Sequence, residues 1–496
     1  MTLRSGKGRT LSEKSATLIL FGATGDLAHR MIFPSLYNLM SDGLLPSPFN
    51  IVASGRSEMD DDAFRATIVE ALKTYVTPEM YDEAKIATFL GTIIYCAVAA
   101  GNAAQFDALA ARTKALGDGP IAVYLSTPPS LFAPTAQGLA ATGLVVASTR
   151  IAMEKPIGKD LASSKEVNDA IGALFAEDQI FRVDHYLGKE TVQNLMVLRF
   201  GNRMFEPLWN STAIDHVQIT VAETVGLEGR VSYYDGVGAL RDMVQNHVLQ
   251  ILSIIAMEPP ARLDSTAVRD EKVKALRSLR PMGAETVRTN SVRGQYRDGA
   301  VKGKLVSGYL EELGQASDTE TFVALKAHID NWRWTGVPFY LRTGKCLPNR
   351  QSEILIQFKP VSHSIFKRKG ASSALESNQL IIRLQPDENI RLSIMAKRPG
   401  LDRDGVKLEE VGLDVSLDFP GERRRIAYER LLLDLLEGDT TLFVRRDEVE
   451  AQWTWIDSIV EGWREGDQKV VPYAAGTWGP SAGIALIERD GASWYD

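Results

Sequence analysis

The chain has 496 residues but only two cysteines, Cys96 and Cys346, which lie far apart in the sequence. Two thiols exclude a disulfide framework and any zinc site made of cysteines alone. Such sparse use of cysteine is typical of a reducing compartment. The sequence therefore predicts a cytoplasmic protein.

Long apolar runs and an excess of positive charge are absent as well. Residues 93–100 form one of the longest apolar runs, much shorter than the roughly 18 to 20 residues that a membrane helix needs. Asp and Glu number 63 against 56 Lys and Arg, which gives a net charge of −7. No general positive field favours nucleic acid or an anionic membrane. We therefore expect neither as a partner, and we expect any anionic ligand to be held by local groups.

The composition that remains is that of an ordinary folded protein, with 45% hydrophobic and 24% charged residues. At about 150 residues per domain, the length indicates two to four domains. Residues 1–16 are rich in basic side chains and lack an apolar face. We predict that they form a loose N-terminal tail.

The first third of the chain alternates apolar strands with helical patterns. Strands are predicted at 18–21, 51–54, 121–126 and 144–147, with helical spacing between them. This alternation is typical of an α/β doubly wound parallel sheet. We expect a Rossmann-like domain over residues 17–190.

From residue 213 the pattern changes to a period of two, as expected for half-covered strands. The alternation returns at 352–359, 379–397 and 409–419, while 238–257 and 428–437 have helical spacing. These patterns predict a larger α+β domain over residues 191–496, with a mainly antiparallel sheet. We expect it to carry substrate-binding and oligomerisation surfaces.

A glycine-rich turn follows the first strand. Gly22, Gly25 and Ala28 have the spacing G-x-x-G-x-x-A, and small residues there let the backbone approach a pyrophosphate at a helix N-terminus. A tight turn without a ligand explains the same spacing, so both interpretations stay open.

The end of the second strand bears on the choice of dinucleotide. A carboxylate at this point would bind the ribose hydroxyls of NAD, but the sequence has Arg56, which suits the 2′-phosphate of NADP. Glu58 lies two residues further on and keeps NAD open. We therefore favour NADP as the cofactor.

Two of the six histidines are candidates for a functional role. His185 lies in a run, Arg182 to Glu190, that combines an acid, cations and a phenol; a helix cap with a wet polar face would explain the run equally well. His247 lies on a predicted helix with apolar inward positions. It is either a satisfied core histidine or a general base oriented by a carboxylate, for which Asp184 is the candidate.

Five segments together resemble the glucose-6-phosphate dehydrogenase family. The resemblance extends in order from about Thr17 to at least Tyr428, and the chance of a joint match is remote. The segments are Gly-Ala-Thr-Gly-Asp-Leu-Ala from Gly22, Glu154-Lys-Pro-Ile-Gly158, the Arg182 to Glu190 run, Arg241-Asp-Met-Val-Gln-Asn-His247, and Gly336-Val-Pro-Phe-Tyr-Leu-Arg-Thr-Gly-Lys345.

The resemblance implies an NADP-dependent oxidation of glucose 6-phosphate at C1, which is the first step of the oxidative pentose phosphate pathway. It implies that His247 is the general base and Asp184 its orienting carboxylate. It also implies a homodimer or homotetramer, and no metal is required.

Further site residues follow from the same resemblance. Around the substrate phosphate it places His185, Tyr186 and Lys189. On the sugar hydroxyls it places Glu223 and Asp242, with Lys345 and Arg350 near the substrate and Lys155 between cofactor and sugar. For the cofactor it implies Gly22, Thr24, Gly25, Asp26, Leu27 and Arg56. Cations on the remote phosphate would convert binding energy into orientation of C1 against the nicotinamide ring.

One position departs from the family's pattern. Met31 stands where familiar members carry a basic residue near the substrate, so we expect altered substrate affinity or altered cofactor contacts. Two rival functions remain at this point. The Glu154-Lys155-Pro156 element also resembles the glucose-fructose oxidoreductase group, and a non-catalytic NADP sensor would need the glycine-rich turn but not His247.

Overall fold

A computed structural model describes residues 16–227, 231–366, 375–400, 406–417, 421 and 423–496. Of the predicted N-terminal tail, residues 1–15 lie outside this part of the chain, and Ala16 already belongs to the first strand. Among the described residues, no helix combines the length and the apolar character needed to cross a membrane.

The described strands and helices alternate early in the chain and separate later. The strands are β1 (Ala16–Phe21), β2 (Phe49–Gly55), β3 (Ile93–Ala97), β4 (Ile121–Leu125), β5 (Arg150–Met153), β6 (Ile180–Arg182), β7 (Ile214–Ala222), β8 (Ser291–Arg297), β9 (Gly299–Val301), β10 (Lys304–Val306), β11 (Phe322–His328), β12 (Pro338–Gly344), β13 (Gln351–Phe358), β14 (Gln379–Gln385), β15 (Asn389–Lys397), β16 (Leu408–Ser416) and β17 (Val471–Ala474). The helices are α1 (Phe33–Ser41), α2 (Asp61–Tyr75), α3 (Glu83–Gly91), α4 (Ala103–Lys114), α5 (Phe132–Ala141), α6 (Leu161–Gly172), α7 (Glu190–Phe200), α8 (Val231–Tyr234), α9 (Leu249–Ala256), α10 (Ser265–Arg277), α11 (Ala284–Asn290), α12 (Tyr309–Leu313), α13 (Ala427–Glu437), α14 (Arg446–Glu465) and α15 (Ser481–Glu488).

The chain divides into two compact units. Unit 1 comprises residues 1–190, 261–269 and 424–450, and unit 2 comprises residues 191–260, 270–423 and 451–496. The first segment of unit 1 has the same bounds as the predicted tail and first domain together. The two later segments of unit 1 come from the part of the sequence assigned to the second domain.

From residue 16 onward, unit 1 forms a six-stranded parallel sheet in the order β3-β2-β1-β4-β5-β6. Every residue of β1 is buried, as expected for a strand with helices over both faces of its sheet. The strand order reverses beside β1, and the carboxyl ends at such a point form the ligand crevice of doubly wound folds. The predicted Rossmann-like fold class is confirmed.

One predicted strand of this sheet is wrong. Residues 144–147 form an irregular turn, and the strand begins only at Arg150. The Thr149 hydroxyl donates to the Leu144 carbonyl and accepts from the Val146 amide. Such side-chain bonds compete with the backbone pairing of a sheet. Residues 144–147, which precede β5, therefore form a turn despite their apolar character.

The described residues of unit 2 form a nine-stranded sheet in the order β16-β15-β14-β13-β7-β12-β11-β8-β17. Its neighbours pair antiparallel except β7 with β12 and β8 with β17, which run parallel. The predicted mainly antiparallel α+β domain is confirmed. The expectation of half-covered strands is wrong for β7, where every residue except Asp215 is buried. Both faces of the sheet are therefore covered at its centre.

The helical pattern predicted over 238–257 forms two kinds of helix. Leu240–Val248 is π-helical, with hydrogen bonds from residue i to residue i+5, and it continues directly into α9. From Met243 to Ala256 every residue is buried. The expected single inward face is thus replaced by a segment that is buried on all sides.

Candidate active site

In unit 1, the glycine-rich turn joins the carboxyl end of β1 to the helical turns before α1. Gly22 has φ +78°, and a Cβ added there would lie 2.2 Å from the Ser126 carbonyl oxygen. Any larger residue would displace the neighbouring strand end. The Gly25 amide donates to the Gly22 carbonyl over 2.9 Å, which closes the turn. The glycine spacing predicts a pyrophosphate site at this turn, and that role stays a prediction.

The predicted cofactor contacts around this turn differ in exposure. Thr24 and Asp26 are exposed and Leu27 is partly buried, while Arg56 is exposed directly after β2. Asp26 lies 3.4 Å from Arg30. The parallel strands β1 and β2 are hydrogen-bonded neighbours, so both predicted elements lie at the same edge of the sheet. Their role in cofactor binding stays a prediction.

The Arg182 to Glu190 run continues from β6 at the same edge of the sheet. Asp184 is buried, and its Oδ1 accepts from the Tyr186 amide over 3.0 Å. Lys189 Nζ lies 3.5 Å from the centre of the Tyr186 ring, and the His185 ring lies 5.0 Å from that ring. The structure thus brings the predicted phosphate-binding side chains of unit 1 together.

Unit 2 brings together a lysine and two carboxylates. Glu223 and Lys345 directly follow β7 and β12, which run parallel with Ala222 beside Gly344. Because two parallel strands end in register, the residues that follow them lie side by side. Lys345 Nζ lies 2.7 Å from Glu223 Oε2 and 3.9 Å from Asp242 Oδ2. Predicted substrate-binding residues from three elements therefore share one location.

The π-helical segment carries both Asp242 and His247. With bonds from residue i to residue i+5, residues five apart lie about one turn from each other, whereas in an α-helix the neighbours on one side are three or four apart. His247 is 1% exposed, and its amide donates to Asn246 Oδ1. The winding therefore brings Asp242 and His247 closer to one face than the predicted α-helix would.

Two domain descriptions of one family match this chain. "Glucose-6-phosphate dehydrogenase, NAD binding domain" matches residues 19–194, and the C-terminal domain of the same family matches residues 196–495. The chain is 58% identical over 483 residues to glucose-6-phosphate 1-dehydrogenase of Zymomonas mobilis, with 97% of this chain and 99% of the relative covered. The chain belongs to the glucose-6-phosphate dehydrogenase family.

Other members of the family agree with this assignment. The enzyme of Rhizobium meliloti is 52% identical, with 96% of this chain and 97% of the relative covered. A solved glucose-6-phosphate dehydrogenase in complex with its substrate is similar with a TM-score of 0.88 at 32% identity, covering 97% of this chain and 98% of that one. The glucose-6-phosphate 1-dehydrogenase structure from Mycobacterium avium gives a TM-score of 0.82 at 36% identity, covering 97% and 99%.

Some positions singled out by the family resemblance take no part in the side-chain contacts described above for either unit. Arg350 is exposed five residues after Lys345, and it takes no part in the contacts of Lys345 with Glu223 and Asp242. Met31 lies partly buried in the π-helical turn Ala28–Ile32. Asp184 belongs to unit 1 and His247 to unit 2.

Sequence reasoning missed the packing of α13 against the predicted phosphate site of unit 1. The Tyr428 ring is stacked on the His185 ring, with centres 6.3 Å apart and planes at 9°. A Cβ added to Gly188 would lie 2.6 Å from the Ala427 carbonyl oxygen. The only early signal was the inclusion of Tyr428 in the family resemblance, since no local pattern links residues so far apart.

Sequence reasoning also missed the surroundings of Glu154. Its Oε1 accepts from the Tyr124 hydroxyl over 2.6 Å and from the Tyr428 hydroxyl over 3.1 Å. Burial raises the pKa of Glu154, while the two hydroxyls and the Lys155 charge oppose the rise. Lys155 itself is partly buried at the end of β5.

Proposed function

We propose that this member of the family oxidises D-glucose 6-phosphate at C1 to 6-phospho-D-glucono-1,5-lactone and passes the hydride to NADP. The observation that carries the proposal is the match to glucose-6-phosphate 1-dehydrogenases over nearly the whole length of both chains. The similar glucose-6-phosphate dehydrogenase that was solved in complex with its substrate, glucose 6-phosphate, supports the same conclusion.

His247 is the general base in this proposal. It takes the proton of the C1 hydroxyl as the hydride leaves C1, and Asp184 keeps the role of orienting carboxylate that the family resemblance gives it. The burial of His247 supports this role, because exclusion of bulk water allows the surrounding side chains to keep the imidazole in one orientation.

The remaining side chains bind and orient the substrate. His185, Tyr186 and Lys189 hold the phosphate, which is remote from the reacting carbon and supplies binding energy for orientation. Glu223 and Asp242 accept from sugar hydroxyls, and Lys345 holds these carboxylates in place. A sugar that lacks one hydroxyl would leave a desolvated carboxylate oxygen unpaired, which provides selectivity. Arg350 is proposed near the substrate.

NADP is the proposed cofactor, and when bound it supplies the hydride acceptor. The Gly22–Ala28 turn supports a pyrophosphate site because Gly22 and Gly25, just after the carboxyl end of β1, carry no side chain that would cover the backbone. Thr24, Asp26 and Leu27 flank it, and Arg56 is exposed and able to pair with a 2′-phosphate. Lys155 is proposed to contact both cofactor and sugar.

We also propose that the chain forms a homodimer or homotetramer in the cytoplasm. An apolar row on β16, formed by Val411, Leu413 and Val415, is 40 to 54% exposed. Residues two apart on a strand share a face, and an exposed apolar row on an edge strand favours association with another chain. The two cysteines are both free and buried, which agrees with a reducing compartment.

One assay tests substrate and cofactor together. The purified protein is mixed with glucose 6-phosphate or glucose, each with NADP or NAD, and the absorbance of reduced nicotinamide is followed. We expect rapid reduction of NADP with the sugar phosphate only. Silence in all four mixtures with intact NADP binding would contradict the proposed activity and favour a different sugar substrate or the rival sensor function.

A substitution of Arg56 tests the preference for NADP over NAD. In Arg56→Ala the loss of a charge-assisted contact should lower kcat/KM for NADP by about tenfold or more and leave NAD use nearly unchanged. The neighbouring Ser57→Ala serves as the control, because it changes the same loop without removing charge. Equal losses with both dinucleotides would remove Arg56 from the 2′-phosphate site.

A further inference from the structure

A buried carboxyl group lies behind the predicted phosphate site of unit 1. We call Glu154, Tyr124 and Tyr428 the Glu154 cluster. The three residues are buried, and a single carboxylate oxygen, Glu154 Oε1, accepts from both phenol hydroxyls. The cluster joins β4, the end of β5 and the first turn of α13.

The Glu154 cluster adjoins two of the predicted site residues, one along the chain and one through a ring contact. Lys155 directly follows Glu154 in the chain, and the Tyr428 ring lies parallel to the His185 ring. The Asp184 charge also acts on Glu154. The cluster therefore links a residue predicted between cofactor and sugar with one predicted on the phosphate.

Packing alone does not explain a buried carboxyl group at this position. Burial of such a group is unfavourable unless it is hydrogen-bonded, and apolar residues of similar volume generally stabilise a core at least as well. A fully bonded buried network instead restricts its members to one geometry. Two donors on one oxygen fix the Glu154 side chain, and the bond to its hydroxyl fixes the plane of the Tyr428 ring.

We propose that Glu154 is a positioning residue, which acts through Tyr428 to hold the His185 imidazole in the orientation that meets the substrate phosphate. This inference rests on the proposed function. Glu154 does not itself touch the substrate. The bond to Glu154 sets the direction of the Tyr428 ring, and the parallel stack transfers that direction to His185.

Tyr428→Phe tests the proposal, because it keeps the ring and removes only the bond to Glu154. We expect KM for glucose 6-phosphate to rise about threefold to tenfold, the range of one lost hydrogen bond. Because the effect acts on the phosphate, kcat/KM for glucose, which has none, should change less than about twofold. A general structural defect would lower kcat/KM for both substrates alike.

Tyr124→Phe is the matched control. It removes a bond of the same kind to the same Glu154 oxygen, but the ring stacked on His185 belongs to Tyr428. We expect a smaller rise of KM for glucose 6-phosphate than in Tyr428→Phe. An equal or larger rise would contradict the transfer through the Tyr428 ring.

Two substitutions of Glu154 complete the test. Glu154→Gln keeps an oxygen that accepts from both phenols and should retain a KM for glucose 6-phosphate within about threefold of the wild type. Glu154→Met has similar length without an acceptor and should reproduce the rise seen in Tyr428→Phe. If Glu154→Met does not fold, Tyr428→Phe and Glu154→Gln still decide the question.

Different outcomes would contradict the positioning role of Glu154 and the proposed oxidation of glucose 6-phosphate. An active wild type with an unchanged Tyr428→Phe variant, or a variant that loses glucose and glucose 6-phosphate turnover equally, overturns the positioning role. A wild-type protein that does not reduce NADP with glucose 6-phosphate contradicts the proposed function itself.

Discussion

At the scale of single residues, His247 combines almost complete burial with a position on the π-helical segment. In His247→Asn we expect kcat to fall by about 10² to 10⁴, because the contribution of a general base to proton transfer is lost. KM for glucose 6-phosphate should stay nearly the same, since an asparagine of similar size fills the site. Steady-state kinetics measures both quantities, and turnover near the wild-type value would remove His247 from the reaction.

Lys189 gives a second prediction at this scale. Its ammonium group lies over the Tyr186 ring beside His185, where it would pair with a phosphate. Lys189→Ala should reduce the preference for glucose 6-phosphate over glucose by about tenfold or more, because a charge-assisted contact is lost. The preference is measured as the ratio of the two kcat/KM values. The exposed Lys159→Ala is the control, and an unchanged ratio in Lys189→Ala would contradict the assignment.

Single residues also show where sequence reasoning ends. The glycine-rich turn could be predicted because the need for a small residue at Gly22 is local, at the end of one strand. The partnership of Glu154 with Tyr428 could not, because it joins residues 274 positions apart. Contacts of this kind depend on the tertiary fold, and a local hydrophobic period does not predict which distant residues meet.

At the scale of elements, α13 contains a buried acid with an unusual protonation equilibrium. Asp434 is 1% exposed, and burial raises its pKa to about 7 despite the Arg430 guanidinium 2.7 Å away. A carboxyl whose pKa is higher in the folded than in the unfolded chain stabilises the fold at low pH, and this stabilisation is lost as the pH rises through the folded value.

The raised pKa of Asp434 therefore predicts how the free energy of unfolding changes with pH. Between about pH 6 and about pH 8, the wild type should lose about 1.4 kcal/mol of unfolding free energy that Asp434→Asn does not lose. Chemical denaturation of both proteins at the two pH values measures the difference. Parallel pH profiles for wild type and variant would show that Asp434 does not titrate in this range.

Element types were predicted well where the hydrophobic period was clear and poorly where side chains bond to the backbone. The strands β1, β2 and β4 and helix α13 were predicted close to their observed bounds. The strand predicted at residues 144–147 was wrong because the Thr149 hydroxyl holds these residues in a turn. The π-helical winding of Leu240–Val248 was missed because an apolar pattern does not distinguish it from an α-helix.

At the scale of the whole molecule, the proposed oligomer can be tested on the apolar row of β16. In Leu413→Glu a charge enters the middle of the row, so we expect association to weaken and the mass in solution to shift toward the monomer. Light scattering after size-exclusion chromatography measures that mass. Glu410→Gln, an exposed change on the other face of β16, is the control, and an oligomer unaffected by Leu413→Glu would exclude this row from the interface.

Unit 1 is not continuous in the sequence, which has a consequence for its synthesis on the ribosome. The last strand of its sheet ends at Arg182, but Tyr428 follows 428 − 182 = 246 residues later. At about 5 to 20 residues per second, this separation is a delay of roughly 10 to 50 seconds. During that interval the nascent sheet is present without α13. The predicted phosphate site can acquire its final geometry only near the end of translation, after most of unit 2 has emerged.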